Sequence, residues 1–495
     1  MSERLTFGYG TSGELGQAPS RASGTVLPPA AASRAPDAEK AHALTSGDKP
    51  DAAFIGLMIF TGLLFFRPQD HVPALGALHL AELSALGALL SLIVGRLTRG
   101  LSISRVTPEL LGVVFMGALI LASAPFSVWP GGTVATFTDL YSKVILIYLL
   151  MVNTLTSRKR IEQFVWLLVI ASGYIAFRAV LDYSRGSNLI EYGRVQGAVG
   201  GIFRNPNDLA LNMVAIMPLA AVLAFRAVSV AARAGAALAV GLMAAAIVAS
   251  QSRSGTVGLV VMTFVLGLYL VRRKPAAAGA GVLALLLALP LVPGSYWSRL
   301  SSITDETQDQ TGSREARRTL LRESFDAFIE HPLTGVGAGQ FKNYNPTGRQ
   351  QPWRESHNIV LQVGAELGIL GVITLLFLMA RGGLAGVRTR RLLRRARGVG
   401  PRGRRPTDAP LTGAPAAEMD AEEVEWFEGH AAAMTAAMVG WFFCALFASV
   451  AYNWTFYYLL ALATVPSTIL EARLAAARRA RPVPEPTGGL QGARA

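Results

Sequence analysis

Long apolar stretches dominate this 495-residue chain and limit what it can fold into. A helix needs about 20 apolar residues to cross a bilayer, and twelve such spans would use about half of the chain. Only 16% of the residues are charged and 52% are hydrophobic, whereas about a quarter of an ordinary soluble domain is charged. A soluble enzyme, a disordered chain and a disulfide scaffold are therefore excluded. The sequence predicts an all-α polytopic membrane protein with about 12 transmembrane helices.

The predicted spans are separated by short polar or proline-containing connections. Their boundaries follow the ends of the apolar runs. The twelve segments are Ala52–Phe66, Pro73–Gly95, Pro108–Trp129, Leu140–Val152, Ile161–Leu181, Leu209–Phe225, Ala234–Ala249, Val257–Val271, Ala276–Val292, Ile359–Ala380, Ala431–Val450 and Trp454–Leu470.

The distribution of cations predicts the orientation. With the N-terminus in the cytoplasm, 31 of the 46 Lys and Arg residues fall on the cytoplasmic side and 13 on the other, as the positive-inside rule requires. This rule accounts for the net charge of +14 without nucleic acid. The predicted organisation is a disordered cytoplasmic tail (1–50), spans 1–9 (51–292), a large periplasmic loop (293–356), span 10 (357–380), a basic cytoplasmic loop (381–430), spans 11–12 (431–470) and a cytoplasmic tail (471–495).

Two long loops and one cysteine complete this outline. Apolar residues at helical spacing predict an amphipathic helix over Arg314–Ile329 in the outer loop. The run from Arg388 to Arg405 is expected to contact anionic lipid, since no aromatic residue is interleaved for nucleic acid. The single Cys444 lies in an apolar run and is expected to be a buried, inert thiol.

Arginine on the outer side is the main anomaly in the charge pattern. Cations near hydrocarbon are costly, and an anion can compensate them. Guanidinium groups bind phosphate oxygens through two parallel hydrogen bonds. Some of these cations lie in short outer connections, namely Arg185, Arg194, Arg204 and Arg253. Two more, Lys143 and Arg178, lie near the outer ends of predicted spans.

Three short motifs adjoin these cations. In the stretch from Phe203 to Ala210, Asn207 or Asp208 is expected to cap the next helix. Gly335–Gly339 lacks the ending of a phosphate-binding loop and is expected to be a flexible turn. His357 stands where the long outer loop re-enters the membrane. The sequence contains no His/Cys cluster with zinc-ligand spacing, so no metal or other cofactor is predicted.

Four stretches in chain order resemble the O-antigen polymerase and ligase superfamily of bacterial membrane glycosyltransferases. They run from Gly193-Arg194 through Arg204-Asn205-Pro206-Asn207-Asp208, over Ser250–Gly255, from Ser313 and Arg317 to Gly337, and over Ser356-His357-Asn358 with Glu366-Leu367-Gly368 and Gly371. Each stretch is short, but their order, spacing and common placement on the outer side make the resemblance specific.

The resemblance implies that a glycan is transferred from an undecaprenyl-pyrophosphate carrier to an acceptor glycan or lipid A-core, at the periplasmic face of the bacterial inner membrane. Membrane lipids and other polysaccharide-assembly proteins are the further expected partners. It assigns catalytic roles to His357, Arg253 and Arg194, with Arg204 as the rival of Arg194. The other residues expected to bind substrate are Asn207, Lys143, Arg178, Arg314 and Arg317.

Three alternatives remain at this point. A polymerase of repeat units is slightly favoured over a ligase that attaches glycan to lipid A-core or protein. A solute carrier of bicarbonate type is disfavoured, because its polar groups should lie near mid-bilayer whereas here they gather at the outer rim. A non-catalytic assembly scaffold is the third. His357 as a general base predicts a rate that falls as the pH drops through the pKa of this histidine, within the range from 8 to 5. Direct contact with the pyrophosphate is the competing role of His357, and it would favour the charged ring.

Overall fold

The computed structural model describes residues 51–70, 72–190, 193–301, 313–396 and 419–479. This part of the chain is a bundle of α-helices, which confirms the predicted all-α class. Within it, the strands are one short antiparallel pair, β1 (Leu189–Ile190) and β2 (Arg194–Val195), with Ile190 opposite Arg194. The predicted tail 1–50 lies outside the described residues.

Fifteen α-helices form the described part of the bundle. They are α1 (Ala52–Phe66), α2 (Leu80–Leu97), α3 (Pro108–Ser123), α4 (Pro130–Ala135), α5 (Ser142–Thr154), α6 (Arg158–Ser184), α7 (Pro206–Arg226), α8 (Val230–Ser250), α9 (Arg253–Arg273), α10 (Pro275–Ala288), α11 (Gly294–Ser301), α12 (Ser313–Glu330), α13 (Ile359–Ala396), α14 (Ala421–Ala445) and α15 (Trp454–Arg479). A π-helix, Thr136–Tyr141, joins α4 to α5.

Ten helical segments in the described residues are long and apolar enough to span a membrane. The count is lower than the predicted twelve because of two segments. The predicted span Ala276–Val292 is part of a helix pair that bends by 99° before Gly294–Ser301, and counting this pair as one span gives eleven. The predicted span Ala431–Val450 falls largely within α14, which carries Glu422 and Glu423 in its first turn and is not among the ten.

Polar side chains at the start of the helices explain where several of them begin. Asp51 accepts the amide N–H of Phe54 at the start of α1, and Thr107 does the same for α3. Each cap satisfies an amide that has no partner within its helix. The central helices α7 and α15 are the most deeply buried spans, whereas α2 is largely exposed, as expected for a helix that faces lipid.

The loops that the sequence analysis places on the outer side contact one another at one end of the bundle, here called the outer end. Gly200 donates its N–H to Asp70 at 2.7 Å, and Val128 donates its N–H to the carbonyl of Val336 at 3.2 Å. The opposite end, the inner end, is joined by ion pairs such as Arg160–Asp51 at 3.2 Å. Every predicted outer motif therefore lies at one end.

Close contacts between small residues bring α7, α9 and α14 together. A Cβ at Gly255 would lie 2.6 Å from Cβ of Ala210, and one at Gly258 would lie 2.9 Å from the carbonyl of Gly440. Small residues let helix backbones approach closely in membranes. Cys444 packs against Gly258 and is 1% exposed, which confirms the prediction of a buried thiol.

Candidate active site

The turn between α8 and α9 is the centre of the candidate site. Gln251 adopts a left-handed conformation with φ 48° and ends α8, and Ser252 begins α9 by accepting the N–H of Gly255 at 3.1 Å. Arg194 donates from Nε to the carbonyl of Ser250 at 3.2 Å. Arg299 of α11 donates from Nε to the carbonyl of Gln251 at 3.0 Å. Because Arg253 is the first residue of α9, three guanidinium groups adjoin one turn, here called the arginine corner (Ser250–Arg253, Arg194 and Arg299).

Asn207 connects this corner to the start of α7. Its Oδ1 accepts from Nη2 of Arg194 at 2.8 Å and from Oγ of Ser252 at 2.9 Å. The expectation that Asn207 or Asp208 caps α7 is wrong, because Asn205 is the cap and accepts the N–H of Asn207 at 2.8 Å. Pro206 places the first turn one residue after Asn205, which leaves the side chain of Asn207 available to hold the guanidinium of Arg194.

A groove of about 380 Å³ opens beside the corner. Its volume is at the lower end of the range typical of small-molecule sites. Arg204 is exposed on this groove, and the helix start of α7 forms part of its lining. The lining residues are Ile190, Arg194, Gly201, Arg204, Asn205, Pro206, Asn207 and Asp208. Two arginines and the positive end of a helix dipole make this groove suitable for an anion.

His357 lies in a tight connection immediately before α13. Its backbone is left-handed, with φ 52°, and its N–H donates to Oγ of Ser449 at 3.0 Å. Asn358 caps α13 by accepting the N–H groups of Val360 and Leu361, both at 3.0 Å, and its Nδ2 donates to the carbonyl of Leu446 at 3.1 Å. The neighbours of His357 in the sequence are thus structural residues that fix its position between α13 and the end of α14.

The surroundings of His357 favour its neutral form. Burial, and then the charges of Arg317 and Arg354, lower the pKa of His357 to about 4. Both arginines thus disfavour the protonated ring. An imidazole with this pKa stays largely neutral between pH 8 and 5, so for the free enzyme the loss of rate is expected at a lower pH.

Glu355 links the histidine connection to the arginine corner. Its carboxylate lies near enough to that of Asp208, in the first turn of α7, for the two like charges to repel each other, and Asp208 follows the Asn207 that binds Arg194. The surrounding protein partly desolvates the carboxyl of Glu355, which raises its pKa, and the charge of Lys342 opposes this effect. The His357 connection therefore approaches the start of α7 through Glu355.

The glycine segment Gly335–Gly339 is not a flexible turn. Val336 and Ala338 within it are 1% and 0% exposed, and Val336 donates its N–H to the carbonyl of Ala365 at 2.8 Å. A Cβ at Gly337, where φ is +101°, would lie 2.7 Å from Oγ1 of Thr133. The segment is a close-packed wedge between α4 and α13, and glycine is required for both its conformation and its fit.

Opposite this wedge, α13 breaks at Gly368, where φ is +69°. A Cβ there would lie 2.5 Å from the carbonyl of Pro332, and Ile369 donates its N–H to the same carbonyl at 2.8 Å. The family-like residues Glu366, Leu367 and Gly368 therefore anchor the outer loop on the helix that begins beside His357.

The outer loop is held by a buried ion pair that the sequence did not reveal. Nε of Arg349 lies 2.9 Å from a carboxylate oxygen of Glu323, and the two side chains are 4% and 13% exposed. The guanidinium also lies 4.0 Å from the ring centroid of Phe341, within the range of a cation–π contact. The predicted helix Arg314–Ile329 is observed as α12, and this pair fixes the chain after it.

The remaining predicted substrate-binding residues lie in different surroundings. Nζ of Lys143 pairs with Glu82 of α2 at 3.4 Å, which provides a local reason for a cation there. Arg178 is half-buried in α6, and its Nε has no hydrogen-bond partner among the described residues. Arg317 lies on α12 near His357. The side chain of Arg314 lies outside the described residues.

Arg299, Arg354 and Glu355 were missed by sequence reasoning. Arg354 and Glu355 precede His357 by three and two positions, so their place near this histidine could have been predicted from the sequence. Arg299 lies 46 positions after Arg253, and only the folding of α11 onto the arginine corner brings it to Gln251. Among the described residues, no group of three or more His, Cys, Asp or Glu side chains could hold a metal ion.

Residues 238–376 match a family model described as O-Antigen ligase. This match confirms the resemblance to the O-antigen polymerase and ligase superfamily that was inferred from the four stretches. The matched range includes Arg253, Arg299, the wedge and His357, whereas Arg194 and Asn207 precede it. No curated protein matches the chain.

Proposed function

We propose that this membrane protein of the O-antigen polymerase and ligase superfamily is a glycosyltransferase whose donor is an undecaprenyl-pyrophosphate-linked glycan. An acceptor hydroxyl attacks the anomeric carbon of the donor, and the bond between that carbon and the pyrophosphate oxygen breaks. The hydroxyl proton passes to a base, and the lipid pyrophosphate leaves with an additional negative charge. The reaction needs an anion site and a neutral base at one place.

The observation that carries the proposal is that the His357 connection approaches, through Glu355, the start of α7 beside the arginine corner. Helices α7 and α9 both begin at the corner, and their dipoles favour an anion there. Fixed guanidinium groups act as preorganised stabilisation of charge that grows in the transition state. The pyrophosphate therefore binds at the corner, without a metal in this proposal, and its glycan extends toward His357.

Arg194 and Arg253 are the proposed pyrophosphate ligands. The bonds that Arg194 makes to Ser250 and Asn207 hold its guanidinium in one orientation, whereas Arg204 is exposed on the groove. This difference favours Arg194 as the fixed ligand, with Arg204 reaching the donor from the side. Arg299 adds positive charge to the same turn.

His357 is the proposed general base. The neutral imidazole can accept the acceptor proton at neutral pH, and Arg317 and Arg354 keep it neutral in the free enzyme. When the donor binds, its negative charges oppose those arginines and make the ring more basic. Base strength would then rise where the reaction takes place.

Two acceptors remain candidates. We propose a lipid-linked repeat unit as the acceptor, which makes the protein a polymerase of surface polysaccharide. A ligase that uses lipid A-core is the second candidate, and the match to the O-Antigen ligase family model is compatible with both. Both activities share the donor chemistry, so the same residues serve either.

The orientation is part of the proposal. The outer end faces the periplasm of a bacterial inner membrane and both termini are cytoplasmic, because this arrangement places most Lys and Arg residues in the cytoplasm. A reporter fused near Tyr344 should be active only in the periplasm, and one near Arg402 only in the cytoplasm. The reverse pattern would refute the placement of every loop.

Reconstitution of the purified protein with a lipid-linked oligosaccharide tests the activity. Extension of the glycan supports a polymerase, transfer to lipid A-core supports a ligase, and solute uptake without transfer would support the carrier instead. Arg253→Ala should lower transfer by a factor of about 10² or more, as for the loss of one oxyanion ligand. Arg272→Ala, an exposed arginine at the other end of α9, is the matched control. Normal transfer by a correctly inserted Arg253→Ala variant would remove that residue from the site.

A further inference from the structure

A second cavity lies at the inner end, opposite the candidate active site. Its volume is about 330 Å³, and it is formed where three helices begin (α6, α8 and α14) and two end (α7 and α9). Three N-terminal ends (α6, α8 and α14) outnumber the two C-terminal ends (α7 and α9), so the helix dipoles together favour an anion. The lining residues are Arg158, Glu162, Val165, Leu219, Val222, Leu223, Phe225, Arg226, Val228, Arg233, Lys274, Glu422, Glu425, Trp426, His430 and Ala433.

The cations of this inner pocket exceed what its carboxylates neutralise. Arg158 pairs with Glu422. A single carboxylate, that of Glu425, is shared by Arg226 at 3.3 Å and Lys274 at 3.1 Å. Four basic and three acidic side chains line the cavity, so the pocket retains positive charge.

Two guanidinium groups in the pocket, those of Arg226 and Arg233, have N–H groups that the carboxylates of the pocket do not bind. Arg226 is 14% exposed in its side chain, and its Nε is buried with no hydrogen-bond partner among the described residues. Arg233 donates from Nε to the carbonyl of Ala227 at 2.6 Å, and within the described part of the chain no carboxylate oxygen lies within 4.0 Å of its guanidinium. The buried Nε of Arg226 is costly without a partner, and a phosphate oxygen would satisfy it, whereas the exposed guanidinium of Arg233 adds an accessible positive charge.

One wall of the pocket is apolar and leads outward. Leu219, Val222 and Leu223 of α7 form this wall. Beyond them Phe225 is 37% exposed and Val228 is 93% exposed. Exposed apolar residues next to a basic cavity at a membrane surface suit a ligand that has both a phosphate and a hydrocarbon chain. Basic pockets between transmembrane helices on the cytoplasmic side are known to suit anionic lipid headgroups.

We propose that the inner pocket binds the phosphate headgroup of an anionic phospholipid. Arg226 and Arg233 hold the phosphate oxygens, and an acyl chain lies along the wall that leads to Val228. The pocket is separate from the residues proposed for glycan transfer, so it stands or falls independently of that activity. Only the choice of the cytoplasmic leaflet depends on the proposed orientation.

Nanodiscs of defined composition test the proposal with the full-length protein. Thermal unfolding and the lipids retained in native mass spectrometry are compared in phosphatidylcholine alone and with phosphatidylglycerol added. A third sample contains phosphatidylcholine and inorganic phosphate in solution. The variants are Arg226→Gln, Arg233→Gln and the control Arg272→Gln, which removes an exposed charge at the same end without lining the pocket.

We expect phosphatidylglycerol to raise the unfolding temperature of the wild type and of Arg272→Gln, and inorganic phosphate to leave it unchanged. Each pocket variant should bind the lipid about tenfold more weakly, the usual effect of losing a charge-assisted hydrogen bond. Arg233 is exposed, so its variant should fold even if Arg226→Gln does not. Equal shifts in Arg233→Gln and Arg272→Gln would overturn the site, since they would indicate a general charge effect. A shift with inorganic phosphate alone would overturn the choice of a lipid.

Discussion

The pH dependence of glycan transfer gives the most direct test of how His357 works. An ordinary histidine, with a pKa near 6.5, is only about 3% neutral at pH 5, whereas one with a pKa of about 4 is about 90% neutral there. Burial and the charges of Arg317 and Arg354 place His357 in the second group. At pH 5 the two cases differ about 30-fold in the fraction of competent enzyme.

We therefore expect kcat/KM to stay constant from pH 8 to pH 5 and to fall only as the pH approaches 4. The pH dependence of kcat/KM reports pKa values of the free enzyme, whereas that of kcat reports pKa values of the complex with substrate. Donor charge stabilises the protonated ring in that complex. The acidic limb of kcat should therefore lie at higher pH than that of kcat/KM.

Arg354 offers a way to shift this limb without changing a proposed ligand. Arg354→Gln removes one positive charge near His357, so the pKa of the ring should rise and the acidic limb of kcat/KM should move to higher pH. Arg322→Gln removes an equal charge from an exposed position on α12 and should leave the limb in place. The assay is transfer by purified enzyme with a lipid-linked donor, with His357→Ala as the inactive background. A wild-type kcat/KM that falls with a midpoint near 6.5 would refute the reasoning from burial and charge.

Two further substitutions test the frame of the site. Arg194→Lys should lower transfer by a factor of about 10², because an ammonium group cannot replace the two guanidinium hydrogen bonds to Ser250 and Asn207. The control is Arg185→Lys, at an exposed arginine of the same loop. Equal transfer rates of the two variants would contradict the role of Arg194. Gly337→Ala should destabilise the protein by about 2 kcal/mol through overpacking against Thr133, measured as a fall in unfolding temperature. Gly186→Ala shares a positive φ (+65°) but has open space around it, so an equal loss in both variants would assign the cost to backbone strain alone.

Helical architecture and the gathering of motifs at one end could be predicted from the sequence, because hydropathy and helical periodicity are local properties. The helix over 314–329 and the position of His357 before a long apolar helix were found in this way. The number of spans was harder, since a 99° bend and acidic residues at the start of a helix interrupt the apolar pattern without showing how the chain continues.

The interactions within the site depend on tertiary packing. Arg194 and Ser250 are 56 residues apart, and Arg299 reaches Gln251 only because α11 folds back onto α9. The positions of the outer cations in the sequence suggested an anion site for all of them alike. In the structure, Lys143 lies beside Glu82, whereas Arg194 is held by Asn207.

A sequence determines which side chains are available and how each helix is patterned, since both depend on nearby residues. Which donor meets which acceptor, and how far burial lowers the pKa of His357, depends on atoms contributed by helices far apart in the chain. Electrostatic energies change steeply with distance and with exclusion of water, so only the folded bundle decides them.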